Sequence, residues 1–223
     1  MAKSGFNVKE AFYTLQGEGA RAGRASVFIR FSKCNLWNGK ESGRGAAVCQ
    51  FCDTDIVGTD GQNGGTYNQQ ALVELALSLW PQLTDDTKSK PYVVFTGGEP
   101  ALQLTESLVS DFQQAGFECA VESNGTLPLP TNLDWVCISP KGTSEIVVKQ
   151  CDELKLVYPQ VDLSPDAVSG ISASYFYLSP MADYGEQNSG MIIRENMQAA
   201  TQYCLDHPQW RMSLQTHKLL GID

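Results

Sequence analysis

The chain has 223 residues, 42% hydrophobic and 18% charged, and its 16 Lys and Arg against 25 Asp and Glu give a net charge of −9. That composition excludes a disordered chain, and the negative charge opposes nucleic acid phosphates and anionic membrane surfaces as partners. No apolar run approaches the roughly 18 residues of a membrane span and MAKSGFNVKEAFYTLQGEG lacks a signal-peptide apolar segment, so the expectation is a cytoplasmic protein with reduced thiols and one domain over 1–223.

In chain order, TLQGEG (14–19) comes before any strong strand pattern. SVFIRF (26–31) reads as the first strand and carries Arg30 among apolar residues. An Arg in that setting needs a partner. Two readings stand: a ligand carboxylate gripped bidentately, or a place on the polar face of a half-buried strand. NQQALVELALSLW (68–80) sets Leu72, Leu75, Ala76 and Leu79 on one helical face behind an Asn68 cap. YVVFTG (92–97) reads as a strand and runs into TGGEP (96–100), where two glycines permit close backbone approach. TESLVSDFQQAG (105–116) is a helix that ends at a Gly. ECAVES (118–123), DWVCIS (134–139), ELKLVY (153–158) and SYFYLSP (174–180) are further strands. ENMQAATQYCLDHP (195–208) is a helix stopped by Pro, and RMSLQT (211–216) is the last strand.

Strands alternating with helices predict an α/β fold with a parallel sheet, open or partly closed. About 200 residues is the low end for a full eight-strand barrel, which favours a partial one. Ligands in such sheets gather beyond the carboxyl ends of the strands. TGGEP, ESNG (122–125), SPK (139–141) and SPMAD (179–183) all fall there.

Three of the seven cysteines, Cys34, Cys49 and Cys52, share the loop after the first predicted strand. Three thiols are one short of a closed tetrahedral site. They fit a zinc site completed by a distant fourth ligand, a redox-active thiol set, or an iron–sulfur cluster with one iron left open. Cys119, Cys137, Cys151 and Cys204 stand singly on or near apolar runs and read as small buried hydrophobes. Of the two histidines, His207 precedes Pro208 and reads as exposed, and His217 lies in the tail QTHKLLGID.

The pattern Cys34-x14-Cys49-x2-Cys52, with Phe51 before the last Cys and TGGEP after a later strand, resembles the radical S-adenosylmethionine (SAM) superfamily. Most of that superfamily spaces its cysteines C-x3-C-x2-C, so the long first spacer is a departure. With TLQGEG, CDT (52–54), SPK and QTHKLLGID, it resembles one branch, the 7-carboxy-7-deazaguanine synthases, from end to end. The resemblance implies a partial (βα) barrel of about six parallel strands with fewer helices, and a homodimer. It implies a [4Fe-4S] cluster on Cys34, Cys49 and Cys52, with SAM chelating the open iron. It also implies a lyase of queuosine-type biosynthesis, which converts 6-carboxy-5,6,7,8-tetrahydropterin to 7-carboxy-7-deazaguanine with loss of ammonia. The electron would come from a flavodoxin-like or other reductant.

Residue by residue, the resemblance puts Phe51, Cys52 and Asp53 at the adenine end of SAM, and Gly98 at its methionyl amine with Glu99 supporting that loop. It adds Ser139, Pro140 and Lys141 as SAM contacts, with Ser123 and then Asn124 behind them. Ser179, Pro180, Met181 and Asp183 follow, Ser179 standing where the family often has Gln. It assigns the pterin to Leu15, Gln16, Gly17, Glu18, Arg30, Thr96, His217 and the terminal carboxylate of Asp223, with Glu18, Arg30 and His217 at the reaction centre. Thr54 would be a ligand of a Mg²⁺ ion that also contacts the substrate. Two rivals are another radical SAM enzyme, such as a glycyl-radical activase, and a zinc-binding interaction module. The first calls for an added ferredoxin-like Cys set, which the sequence lacks. The second calls for a fourth zinc ligand.

Overall fold

The computed structural model describes residues 5–81, 89–183 and 193–222. The strands are β1 (Phe6–Leu15), β2 (Ala25–Phe31), β3 (Gly65–Tyr67), β4 (Tyr92–Gly97), β5 (Glu118–Ser123), β6 (Trp135–Ile138), β7 (Gln150–Tyr158), β8 (Ser172–Pro180) and β9 (Trp210–Met212). The helices are α1 (Gln69–Leu79), α2 (Glu106–Gln114), α3 (Arg194–Asp206) and α4 (Thr216–Leu220). One sheet runs β3-β1-β2-β4-β5-β6-β7-β8-β9. From β2 to β9 each neighbouring pair is parallel, while β1 pairs antiparallel with both β2 and β3. The sheet is therefore an unclosed α/β array, as expected. Its parallel part gains β9 beyond the six strands implied, and an antiparallel pair extends its other edge.

β1 is the element the sequence pattern hides. Its run FNVKEAFYTL carries Lys9 and Glu10 at its centre, which interrupts the apolar alternation. The structure absorbs both charges. The register with β2 slips between Val8 and Glu10, a bulge that re-aims the intervening side chain. Lys9 is buried there and pairs with Asp55 at 2.6 Å and Asp60 at 2.7 Å, while Glu10 meets Arg30 of β2. The bulge thus clasps the 55–60 loop to the sheet. TLQGEG consequently begins in the last two residues of a ten-residue strand and continues into the turn after it, rather than preceding the first strand. The expected last strand is shorter too: it ends at Met212, and the chain turns into α4 at Thr216.

The helices form where the pattern places them. Asn68 Oδ1 accepts from the Ala71 amide at 2.9 Å to cap α1, and Thr105 caps α2 in the same way at 3.2 Å. Leu72 and Ala76 of α1 and Leu108, Val109 and Phe112 of α2 pack on Val27, Ile29, Val93 and Phe95 of the sheet. A second core holds Ala200 of α3 against Leu154, Leu156, Leu178 and Trp210. No α-helix intervenes between β5 and β6 or between β6 and β7. That is why the barrel has fewer helices than strands. Among the described residues, no helix is long and apolar enough to cross a membrane.

Phe112 is fully buried, edge-on to Phe95 at 5.0 Å and to Phe117 at 5.6 Å. Phe112→Ala should cost about 3–5 kcal/mol of stability by urea unfolding; a loss below about 1 kcal/mol would show that this core is not packed as described.

Candidate active site

A cavity of about 450 Å³ opens at the carboxyl ends of the parallel strands. Its wall is built by the turn after β1, the cysteine loop, the ends of β4 to β8, and α4. Cys34, Cys49 and Cys52 all line it. Among the described residues no three His, Cys, Asp or Glu side chains are already drawn to one point as for a single ion. An iron–sulfur cluster makes a different demand: each thiolate binds its own iron, so the sulfurs must ring a volume rather than meet. Three thiols around one cavity fit that demand better than they fit a closed zinc site.

The local chemistry favours thiolate at Cys52 alone of the three. A hydrogen bond from Cys49 lowers Cys52 to about 6 against its burial, and the Lys141 charge helps. Cys49, the donor of that bond, is pushed up by the bond and then by burial, and burial pushes Cys34 up. Lys141 lines the cavity beside Ser139, to whose hydroxyl it donates, with its Nζ 5.8 Å from the centre of the Phe51 ring. Asp53 lines the cavity too, and its carboxylate is bound by Lys218 of α4 at 2.6 Å.

The glycine motif meets the cysteine loop backbone to backbone. A Cβ on Gly97, at φ 144°, would collide with the Phe31 carbonyl, and one on Gly98 with the Lys33 carbonyl. Gly98 lines the cavity; Glu99 does not. The Glu99 side chain is fully buried behind the wall, accepting from the Ser123 hydroxyl and the Asn124 amide at 2.8 Å each and from the Ala101 amide at 2.9 Å. Burial raises its carboxyl while those bonds oppose. Glu99 thus supports the loop and is no direct contact in this arrangement. Ser123 faces the cavity, but its hydroxyl is committed to Glu99 and to the Gly125 amide. Pro140 is likewise absent from the wall, its carbonyl accepting from Gln160 at 3.3 Å instead. Ser179, Pro180, Met181 and Asp183 do line the cavity, at and beyond the end of β8.

Leu15, Gln16, Gly17 and Glu18 form the facing wall. Thr216 donates its amide and hydroxyl to the Gly17 carbonyl, at 3.0 and 2.8 Å, and the His217 ring occupies the space a Gly17 side chain would need. That contact explains a glycine here. It also brings His217 into the cavity wall, where burial lowers the ring against the pull of Glu18 and keeps it neutral. The Gln16 amide is braced at both ends, donating to Glu122 at 2.9 Å and accepting from the Glu18 amide at 3.1 Å. Its side chain orients the turn.

Sequence reasoning missed the charge that organises this wall. Lys155, in the middle of β7, is buried and pairs with Glu18 at 2.5 Å and Glu122 at 3.5 Å. Burial would strip its proton, but Glu122 and Glu18 more than offset that. Burial also works to raise Glu18, yet Lys155, Gln215 and His217 bring it down to about 2. Glu153 is buried one pleat away and accepts from the Ala20 amide at 2.9 Å. The available signal was the alternation of Glu153, Lys155 and Val157 on one face of β7, masked by Leu154 and Leu156 on the other.

Arg30 and Thr96 line the cavity from adjacent strands in paired register. The Arg30 Nε donates to Glu10 at 2.7 Å, so its partner lies within the chain while it still faces the cavity. Thr54 lines the cavity next to the cysteine pair. Asp223 lies outside the described residues. His207 is half-buried rather than exposed, stacked on Tyr203 at 4.0 Å. Cys119 and Cys137 are buried as expected, while Cys151 and Cys204 are half-buried.

No family model matches the chain. It is 52% identical over 218 residues to 7-carboxy-7-deazaguanine synthase of Bordetella pertussis, covering 97% of this chain and 99% of that one. It is 52% identical over 217 residues to the synthase of the same description from Bradyrhizobium diazoefficiens, with the same coverage. Its fold is similar to the crystal structure of QueE from Escherichia coli, with a TM-score of 0.64 over 95% of this chain and 94% of that one at 21% identity.

Because the folded value of Glu18 is depressed, its ion pair stabilises the protein above about pH 4.5 and is lost as pH falls toward 2. Urea unfolding of the metal-free protein across that window should show a shallower acid loss for Glu18→Gln than for the parent, the gap reaching about 3 kcal/mol. Parallel curves would contradict the Glu18–Lys155 assignment.

Proposed function

The chain belongs to the 7-carboxy-7-deazaguanine synthase family, and from that premise we propose that the cavity takes 6-carboxy-5,6,7,8-tetrahydropterin and releases 7-carboxy-7-deazaguanine and ammonia, a lyase step in 7-deazapurine synthesis. The observation that carries this reading is the single cavity shared by the three cysteines and the Gln16–Glu18 turn. On this reading a radical source and a polar substrate wall share one volume. Cys34, Cys49 and Cys52 hold a [4Fe-4S] cluster, with one iron left to SAM. When bound there, cluster and SAM would supply one-electron radical chemistry to the substrate.

The chain's own part is binding, orientation and exclusion of water. Gly98 lets the backbone approach SAM where any side chain would fill the gap. Phe51 and Asp53 sit at the adenine end. Ser139, Lys141, Ser179, Pro180, Met181 and Asp183 complete that half of the wall. On the other half, Glu18 is held ionised by Lys155 and accepts from the guanidine-like N–H edge of the pterin. Neutral His217 and Thr96 add polar contacts. Arg30, steadied by Glu10, meets the substrate carboxylate. Thr54 contributes an oxygen to a Mg²⁺ ion that otherwise keeps waters and substrate oxygens. The chain works as one unit over 1–223, as a cytoplasmic homodimer supplied with electrons by a flavodoxin-like or other reductant.

Anaerobic incubation with the pterin, SAM, Mg²⁺ and a reductant should yield 7-carboxy-7-deazaguanine and one equivalent of ammonia, read by mass spectrometry. Thr54→Ala should abolish the Mg²⁺ response. Arg30→Lys, which loses bidentate geometry, should weaken pterin binding about tenfold while leaving SAM binding unchanged by calorimetry. Absence of product from the reconstituted parent, or equal losses for both ligands, would overturn the respective assignments.

A further inference from the structure

Cys34 faces a problem its two partners do not. Cys49 and Cys52 share one turn, whereas Cys34 is separated from Cys49 by fourteen residues of loop. Something outside that loop must hold it. On its N-terminal side, Lys33 takes a left-handed backbone at φ 75°. The Lys33 carbonyl accepts from the Glu99 amide at 2.9 Å, and its amide donates to the Ile56 carbonyl at 2.9 Å. On its C-terminal side, Asn35 belongs to a closed ring of side chains. Asn35 Nδ2 donates to Thr126 Oγ1 at 2.7 Å, Thr126 Oγ1 donates to Asn124 Oδ1 at 2.7 Å, and Asn124 Nδ2 donates to Asn35 Oδ1 at 3.0 Å.

The ring is chemically consistent all the way round. Within the ring each side-chain amide donates once and accepts once, and the hydroxyl does both. It is also anchored. The Asn124 amide donates to buried Glu99, and the Thr126 amide donates to Asn124 Oδ1 at 2.9 Å. Glu99 is therefore the hub of both clamps: through its amide it fixes Lys33, and through its carboxylate it fixes Asn124. Neither Asn35 nor Thr126 lines the cavity. Asn124, the third member of the ring, does line it.

We infer that Asn35 and Thr126, acting through Asn124 of the cavity wall, are positioning residues that set Cys34 as the third ligand of the iron–sulfur cluster. The inference rests on the cluster reading proposed above. It explains how a long spacer is compatible with a well-placed thiolate: the loop between the cysteines is free to vary because its first residue is gripped by the end of β5 rather than by the loop itself. The amide of Leu36, next along the chain from Asn35, donates to Cys34 Sγ at 3.4 Å. Hydrogen bonds to cluster sulfurs tune the reduction potential, so the ring reaches the cluster's electronics as well as its retention.

The test compares Thr126→Val, Asn35→Ala and the conservative Thr126→Ser with the parent. In the metal-free proteins, hydrogen exchange at residues 33–36 should accelerate roughly tenfold in Thr126→Val and Asn35→Ala, the effect of losing a hydrogen bond or two. Thr126→Ser should restore it to about twofold of the parent. After anaerobic reconstitution, loss of iron to a chelator should follow the same order, with an altered EPR line shape in the first two variants. Exchange and cluster lifetime equal to the parent in Thr126→Val and Asn35→Ala would overturn the inference while leaving the cluster reading intact. A parent that assembles no cluster would overturn the reading and the inference with it.

Discussion

The backbone at Gly97 and Gly98 lies against the backbone of residues 31–34 with no room for a side chain between them. Everything at the mouth of the barrel depends on that approach. The parallel register of β2 and β4 sets Phe31 opposite Gly97, and the chain leaving β2 then runs directly into Lys33 and Cys34. A side chain at either glycine would push the cysteine loop away from the wall that faces it. The Glu99 amide closes the contact on Lys33, and the buried Glu99 carboxylate carries it onward to the end of β5. Strand register, two glycines and one buried acid thus hold the thiol wall and the glycine wall as a single piece.

The opposite wall rests on a buried charge. Lys155 stands between Glu18 and Glu122 in the barrel interior, where an isolated ammonium would be far too costly to keep. Its neighbours keep it ionised, and it keeps Glu18 ionised in return. Such a pair gains little over a well-packed apolar replacement, although neutralising one partner alone is costly. It does fix an acceptor in one protonation state facing a cavity, which is what recognition of an N–H-rich ring requires. α4 joins the two walls: Thr216 and His217 grip the Gly17 turn, and Lys218 reaches Asp53 in the cysteine loop.

Much of this was legible in the sequence where chemistry is local. The Cys set, TGGEP and TLQGEG each carry their residues within a short stretch, so their order along the chain carries the family resemblance, although the spacing of each by itself left zinc, redox and plain-turn readings open. The parallel strands from β2 to β8 stood out as apolar runs. β1 did not, because Lys9 and Glu10 interrupt its alternation and find their partners only through a bulge and a neighbouring strand. Lys155 escaped for a related reason. Its partners lie on the β1–β2 turn and on β5, and only the tertiary packing of the sheet brings them together. Glu99 and Pro140 sat inside correctly located motifs but face away from the cavity, because a motif marks a loop and not the direction of each side chain.

The central claim is that three thiolates leave one coordination place open on a cluster at this wall. The most direct measurement is the EPR spectrum of the anaerobically reconstituted, reduced protein with and without SAM. The account predicts a [4Fe-4S] signal that shifts when SAM is added. A protein that binds only zinc, or a cluster signal indifferent to SAM, would contradict it.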